Sequence, residues 1–418
     1  MSTVAPRTRG PRHRARRSRR SLWVAALAVV TVAGVLGGLA QIRLSAGPPT
    51  ATVRAALGPT RTVPGSAAVP PWPAGVQVAF SVPVLGVSGQ SGPEQAEPVA
   101  SLTKTMTAYL ILKDHPLTAE AQGPSLTMSA ADVADWDHDV DTDQSNVEVA
   151  TGEVLTERQL LEGLLVHSAN NFADTLAEWD AGTVAAFVTK MNATAQVLGM
   201  THSHFVDPSG FDQQSESTPA DLLKVVRLDM EFPVFAQTVT MPSVTLPVAG
   251  TVFSATPLVG IPGIVGVKSG FTMAAGGCDV LALLDRVDGQ LIVVLAAVTG
   301  EQQGATPVAV AGEAALALAK SVAGQIVGVR LVRQGAVLAR ASVVGTTTAA
   351  AATSGLVLLG WPGQAVRARF TPARAPLAGA RAGTLVGRAS FSVAGERGTV
   401  EVKTRRALPR PTVFQRLL

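Results

Sequence analysis

At 418 residues the chain has room for two globular units, each with a full hydrophobic core. Its one cysteine, Cys278, excludes an intrachain disulfide and any thiolate zinc site, so stability must come from packing. The net charge of +4 is segregated: residues 1–20 hold eight arginines and no acid, the stretch from Gly324 onward holds fourteen Lys and Arg against two acids, and the middle is acidic.

The basic tail, 1–20, leads into "SLWVAALAVVTVAGVLGGLAQI", Ser21 to Ile42, which carries no charge and is long enough to span a bilayer as a helix. The positive-inside rule keeps the arginines cytoplasmic and puts everything after Arg43 outside, as a single-pass membrane protein. "LSAG" at 44–47 leaves cleavage and secretion open. Residues 43–73 are rich in Pro, Ala, Gly and Thr and read as a linker, part flexible and part polyproline-like.

"VQVAFSVPVLGVSG" (76–89) is β-branched and punctuated by Pro83, Gly86 and Gly89, as a strand or hairpin would be. A helix is entered after Pro98, with Leu102, Met106, Leu110 and Ile111 at helical spacing. Helices are also expected over 155–179, where Thr156 and Gln159 form a capping-box pattern, and over 183–200. "GIVGVKSGFT" and "CDVLALL…GQLIVVLAAVTG" read as adjacent strands with a turn at Asp288-Gly289, and the helix 307–324 closes this unit. Strands thus bracket a mostly helical insert over 74–324. From 325 to 418 short β segments separated by Gly and Pro suggest a small β-sandwich, in which the alanine run at 349–352 is expected as a loop.

The residues that carry chemistry begin in "PVASLTKTMTAYL". Ser101 and Lys104, three apart at a helix start, lie on one face a turn apart, so the amine can meet the hydroxyl. Lysine is seldom buried, and burial lowers its pKa until a neutral amine can take the serine's proton. Alone, S-x-x-K is a weak signal. Here it is followed by Ser168-Ala169-Asn170 in the helical insert and Lys268-Ser269-Gly270 on an expected strand. Lys268 would supply a cation for a substrate ending in a free carboxylate and help keep Lys104 neutral, while Gly270 leaves the strand edge clear for an added peptide strand.

Three motifs in this order, within "ASLTKTMTAYL", "GEVLTERQLLEGLLVHSANNFADTLAE", "FVTKMNATAQVLGMTHSHFVDPSGFD" and "GVKSGFTMAAGGC", resemble the penicillin-recognising serine peptidases, in particular the D-alanyl-D-alanine carboxypeptidases related to low-molecular-mass penicillin-binding proteins. The resemblance covers about Val76 to Gly324, and "APLAGARAGTLVGRASFSV" looks more loosely like the β-rich domain that often follows. It implies an α+β fold of the DD-peptidase/β-lactamase type, an antiparallel sheet flanked by helices with a helical subdomain, then a small all-β domain and one N-terminal transmembrane helix. It implies no cofactor and no metal. Its substrate would be a peptidoglycan stem peptide ending in D-Ala-D-Ala, with β-lactam antibiotics as covalent inhibitors and the protein in a bacterial envelope.

Carried over residue by residue, the resemblance makes Ser101 the nucleophile and Lys104 its general base. Ser168 would relay a proton toward the leaving D-alanine, and Asn170 would hold Lys104 and a substrate amide. Lys268 and Ser269 would bind the terminal carboxylate beside Gly270, and the backbone N–H groups of Ser101 and Phe271 would form the oxyanion hole. The sequence departs from the family pattern in Lys-Ser-Gly for the commoner Lys-Thr-Gly, in Asn171 where aspartate is frequent, and in "SATPLVGIPGIVG", which lacks the usual asparagines.

Other signals are weaker. Asp137 to Glu148 places acids like a calcium loop, but Thr142 stands where the turn needs glycine, so a solvated loop is expected. His202 and His204 lack a third metal partner, His167 reads as structural, and Cys278 as a small core residue. The basic C-terminal region reads as a solvated surface, with anionic wall polymers or lipid head groups as the alternative. Scarce aromatics there argue against nucleic acid. A β-lactamase of this fold would need a glutamate on an E-x-x-x-N loop that is missing, a transpeptidase differs mainly in its acceptor, and a non-enzymatic wall-binding protein should show decay at Ser101, Lys104 or Lys268.

Overall fold

The computed structural model describes residues 18–45, 51–374 and 377–417; most of the basic tail, 1–17, and part of the expected linker, 46–50, lie outside them. A charge-free, mostly apolar stretch, 21–42, forms the body of the helix Ser18–Ser45, of which Leu22–Ser45 is long and apolar enough to cross a membrane. It is a few residues longer at each end than the charge-free stretch suggests.

Near-continuous apolar runs, buried on both faces, build the central antiparallel sheet. Its five strands run in the order Ile264–Thr272, Gly276–Val287, Gln290–Glu301, Gln77–Val82 and Val87–Ser91, and the Asp288-Gly289 turn joins the second to the third. Along Gly276–Val287, Val280 and Ala282 face one core while Leu281 and Leu283 face another, because successive side chains leave opposite faces of a strand. The first core packs under the helices Lys104–Asp114, Asn170–Ala181 and Pro219–Asp229; the second packs under the helix Pro307–Ala323. The sheet is thereby covered on both faces.

The helices start where polar side chains can take up their free N–H groups. Thr156 and Gln159 form the expected capping box, Ser129 and Asp132 form another, and Thr218 caps a helix that opens with Pro219. The stretch 155–179 divides into a helix Glu157–Glu162, a wide π-type turn Gly163–His167 and the helix Asn170–Ala181. Ser168, at the break, has φ +70.

The C-terminal region is an antiparallel sheet of seven strands with a two-stranded ribbon, Val327–Val332 with Leu356–Gly360, against one face. Two expectations are overturned here. The alanine run lies in the strand Thr346–Ala352, where Ala350 and Ala352 are small enough to pack under the ribbon and backbone pairing supplies the rest. Nor is the linker free: Thr52–Ala55 pairs with Val337–Val343 at one edge of the sheet, and Arg61–Thr62 pairs with Ala365–Pro372 at the other. Both edges of the C-terminal sheet are covered by the segment that follows the long helix, which satisfies edge groups that would otherwise stay open. The sheet meets the catalytic unit through Trp361 and Trp72, whose rings stack on Phe80 at 6.1 and 5.9 Å, and through Gln364 Nε2, which donates to Leu85 O.

Val63 decides between a docked and a free segment. It is 1 % exposed, in the C-terminal core, and its N–H donates to Gln364 O at 2.8 Å. Val63→Ala is expected to cost about 2 kcal/mol, two buried methyl groups plus the cavity they leave. A denaturant titration of the full chain would read this, and an unchanged midpoint would mean that 51–64 is a loose tether.

Candidate functional site

Ser101 lies in a tight 3-10 turn, Ala100–Thr103, that runs into the helix beginning at Lys104. Val99 and Leu102 are fully buried on either side, which fixes the turn against the core, and Ala100 has φ +49. The turn sends the Lys104 side chain inward, where it is 0 % exposed. Its Nζ lies 3.0 Å from Ser101 Oγ, 2.5 Å from Asn170 Oδ1 and 2.9 Å from Ser209 O.

Those partners dictate the proton arrangement. Asn170 Oδ1 and the Ser209 carbonyl can only accept, so a neutral amine spends its two N–H bonds on them and turns its lone pair to the Ser101 hydroxyl. Burial pushes the Lys104 pKa down to about 7, against the opposing pull of Asp207, Asp174 and Asp139. The last two are themselves held up by burial, Asp174 to about 7 and Asp139 to about 6.

Asn170 opens its helix just after the left-handed Ser168. Its Nδ2 donates to Gln144 Oε1 at 2.6 Å and its backbone N–H to Ser145 O at 2.7 Å, which turns Oδ1 toward Lys104. Asn171, where an aspartate is frequent in the family, donates from Nδ2 to Val147 O and accepts from Val147 N at Oδ1. A carboxylate could make only the second of these bonds, so the asparagine fits its own surroundings. Ser168 is 3 % exposed, and its Oγ is buried without a hydrogen-bond partner among the described residues. A strained backbone carrying an unpaired hydroxyl is a common mark of a working site.

The strand Ile264–Thr272 forms the opposite wall. Lys268 is fully buried, Nζ donates to Ser269 O at 2.9 Å, and its pKa is driven well below the usual value by burial and then by the nearby Lys104 charge. Asp279 opposes that shift from the neighbouring strand. Ser269 Oγ donates to Ala255 O at 2.9 Å, and Ala255 N–H donates to Val166 O, so this hydroxyl braces the strand to the turn that carries Ser168. Gly270 packs on the Ser101 turn: a Cβ there would stand 2.6 Å from Ser101 N. Phe271, 48 % exposed, forms a lip beside it.

Ser101, Lys104, Asn170 and Gly270 are thus in direct contact or nearly so, with Ser168 and Lys268 buried in the surrounding wall. Several contributors escaped sequence reading. The Ser209 carbonyl is presented by a loop that Asp207 organises: Oδ2 accepts from Ser209 Oγ at 2.7 Å and Phe211 N at 2.8 Å, and the Ser215 hydroxyl donates to Oδ1. Thr107 ties the loop to the helix Lys104–Asp114 by donating to Pro208 O. Gly210, with φ +78, leaves room for Ala100 O, which a Cβ would meet at 1.9 Å. The Asp-Pro-Ser-Gly run was the available signal, a turn whose carbonyls point inward.

Three of the signals set aside have structural accounts. Asp137, Asp139 and Asp141 lie on the last turns of the helix Ala130–Asp141, with Asp139 turned inward, so the run does not form one twelve-residue loop. His167 Nδ1 pairs with Phe253 O. Cys278 is buried and its thiol is pushed up to about 12, which makes it inert.

Known proteins resemble this chain in sequence and in fold. The family model described as D-alanyl-D-alanine carboxypeptidase matches residues 87–299. The D-alanyl-D-alanine carboxypeptidase DacB2 of Mycobacterium tuberculosis is 34 % identical over 218 residues, 50 % of this chain and 70 % of that protein. A D-alanyl-D-alanine endopeptidase of Escherichia coli is 29 % identical over 203 residues, 45 % of this chain and 60 % of that protein. Among solved structures, penicillin binding protein 6B from Escherichia coli superposes with a TM-score of 0.58 at 21 % identity, covering 80 % of this chain and 96 % of its own, which speaks to the fold.

Gly270→Ala tests the packing of strand on nucleophile. The methyl group must displace Ser101 N, and a misplacement of about 1 Å is enough to slow acylation about 100-fold. Stopped-flow acylation by a chromogenic cephalosporin would measure the loss, and thermal melting should fall as well, since displacing buried backbone costs about 1–3 kcal/mol; full activity at an unchanged melting temperature would show that the turn can yield.

Proposed function

The chain belongs to the D-alanyl-D-alanine carboxypeptidase family, serine peptidases of the penicillin-binding class, and we propose that it is a membrane-tethered carboxypeptidase that removes the terminal D-alanine from peptidoglycan stem pentapeptides through a Ser101 acyl-enzyme. The observation that carries this reading is Lys104: fully buried, 3.0 Å from Ser101 Oγ, with a pKa of about 7.

In the proposed cycle neutral Lys104 takes the Ser101 proton as Oγ attacks the carbonyl of the penultimate D-alanine. The oxyanion forms between the N–H groups of Ser101 and Phe271. Ser168 passes a proton to the departing amine, and water then hydrolyses the ester. Lys268 receives the terminal carboxylate. Its buried position disfavours the ammonium until an anion arrives, so substrate binding and charging of Lys268 support each other. Ser269 would contribute through its bond to Ala255, which holds the strand against the Ser168 turn. The helix Leu22–Ser45 fits the tether, with the catalytic unit on the outer side.

A fluorescent penicillin added to the detergent-solubilised full chain should label the wild type for minutes or longer and leave Ser101→Ala unlabelled. D-alanine release from a pentapeptide should depend on the same serine. Absent label would sink the acyl-enzyme mechanism, and label lost within seconds would identify a β-lactamase instead.

The pH dependence has a definite sign. The base must be neutral, and the neutral fraction grows as pH rises through the Lys104 pKa, so acylation should climb through about pH 7 and level off above it. Asp207 raises that pKa, so Asp207→Asn should move the ascending limb to lower pH whatever it does to the plateau. A limb that stays put would show that Asp207 acts only through the loop.

A further inference from the structure

The arginines of the C-terminal region are sorted by its sheet. One face packs under the ribbon, with Val366, Ala389, Phe391, Val393, Val400 and Val402 in the core. On the other face, register places Arg367 beside Ser392, Arg369 beside Ser390, Ser392 beside Arg397, and Ser390 beside Thr399. These six side chains line a groove of about 880 Å³.

The charges in this groove are unbalanced. No ion pair or hydrogen bond among the described residues engages the guanidinium groups of Arg367, Arg369 or Arg397. The nearest acid on the face, Glu401, is already shared by Arg388 and Lys403. Farther along the same face Arg54 and Arg340 stand directly opposite each other across a strand pair, a like-charge juxtaposition that costs stability unless an anion lies between them.

We propose that this face binds an extended polyanion whose charges are phosphodiesters. Arginine forks and serine or threonine hydroxyls are the donors that phosphate oxygens accept from, and alternate residues on one strand repeat them every ~7 Å. A protein partner would need apolar or aromatic anchors, and the large exposed hydrophobic side chains lie elsewhere. A bilayer is flat, whereas this site is concave. The groove begins at Gln364 and Ala394, beside the catalytic unit: Gln364 bonds Leu85 O, and Gly395 packs on Val84 O. A polymer held there would keep the enzyme against the layer that contains it. This surface is independent of the catalytic residues.

The test is fluorescence anisotropy of labelled poly(glycerol phosphate) with the full chain in nonionic detergent. Binding should weaken with salt, and the triple variant Arg367→Gln, Arg369→Gln, Arg397→Gln should lose about tenfold or more, the product of three exposed ion pairs each weak alone. A control of equal charge change, Arg286→Gln, Arg330→Gln, Arg333→Gln, removes exposed arginines that do not line the groove and should bind as wild type. Penicillin labelling should be unchanged in both. Equal losses in the two variants would reduce the effect to net charge and overturn the proposal, as would no binding by the wild type. Groove-dependent binding to phosphatidylglycerol vesicles without binding to the soluble polymer would overturn it in favour of the membrane.

Discussion

Everything at the proposed catalytic centre depends on one lysine being shut away from water. An isolated ammonium in that position would be prohibitively unfavourable, and the chain resolves the conflict by letting the group go neutral among three oxygens. The three come from parts of the chain far apart in sequence, so the proposed base is assembled only when the Ser101 turn, the Asn170 helix and the Ser209 loop close together. On the proposed mechanism, folding and activation of the serine are the same event.

That closure is held at strained points. Ala100 and Ser168 both take left-handed backbone conformations, on either side of the centre, and such residues cost of order 1–3 kcal/mol each. The compensation is local and specific: Gly210 makes room for the Ala100 carbonyl, and Ala255 stitches the Ser168 turn to the strand that carries Lys268. The rigid sheet and its two cores supply the rest, since neither turn can relax without opening buried apolar surface.

What could be read beforehand follows from how far each interaction reaches along the chain. Ser101 and Lys104 are three residues apart on one helical face, so their meeting is local and visible. The apolar strand runs and the Thr156 cap are local too. The Asp-Pro-Ser-Gly run marks a turn but not which of its carbonyls meets Lys104, because a backbone atom leaves no mark in residue type, and nothing local links Gln144 to Asn170. The alanine strand and the docked linker were misread for a related reason. Edge and sheet pairing use main-chain groups, so weak strand formers and a linker-like composition can still be strands when a neighbour offers its edge.

The docked linker changes what the N-terminal helix can do. A free stretch of about 30 residues would let the catalytic unit range over tens of ångströms. With Thr52–Ala55 and Arg61–Thr62 built into the sheet, only the span from Ser45 to Thr52 separates the helix from folded structure, at most about 25 Å fully extended. Arg416, near the C-terminus, also donates to Leu44 O at the end of the helix. If that helix lies in a bilayer, the C-terminal sheet stands close to the surface, and the catalytic unit is joined to it through the Trp72, Phe80 and Trp361 stack. On the proposed function the sheet would then act as a short spacer, keeping Ser101 within a limited distance of the bilayer instead of letting it range over the span that a free linker allows.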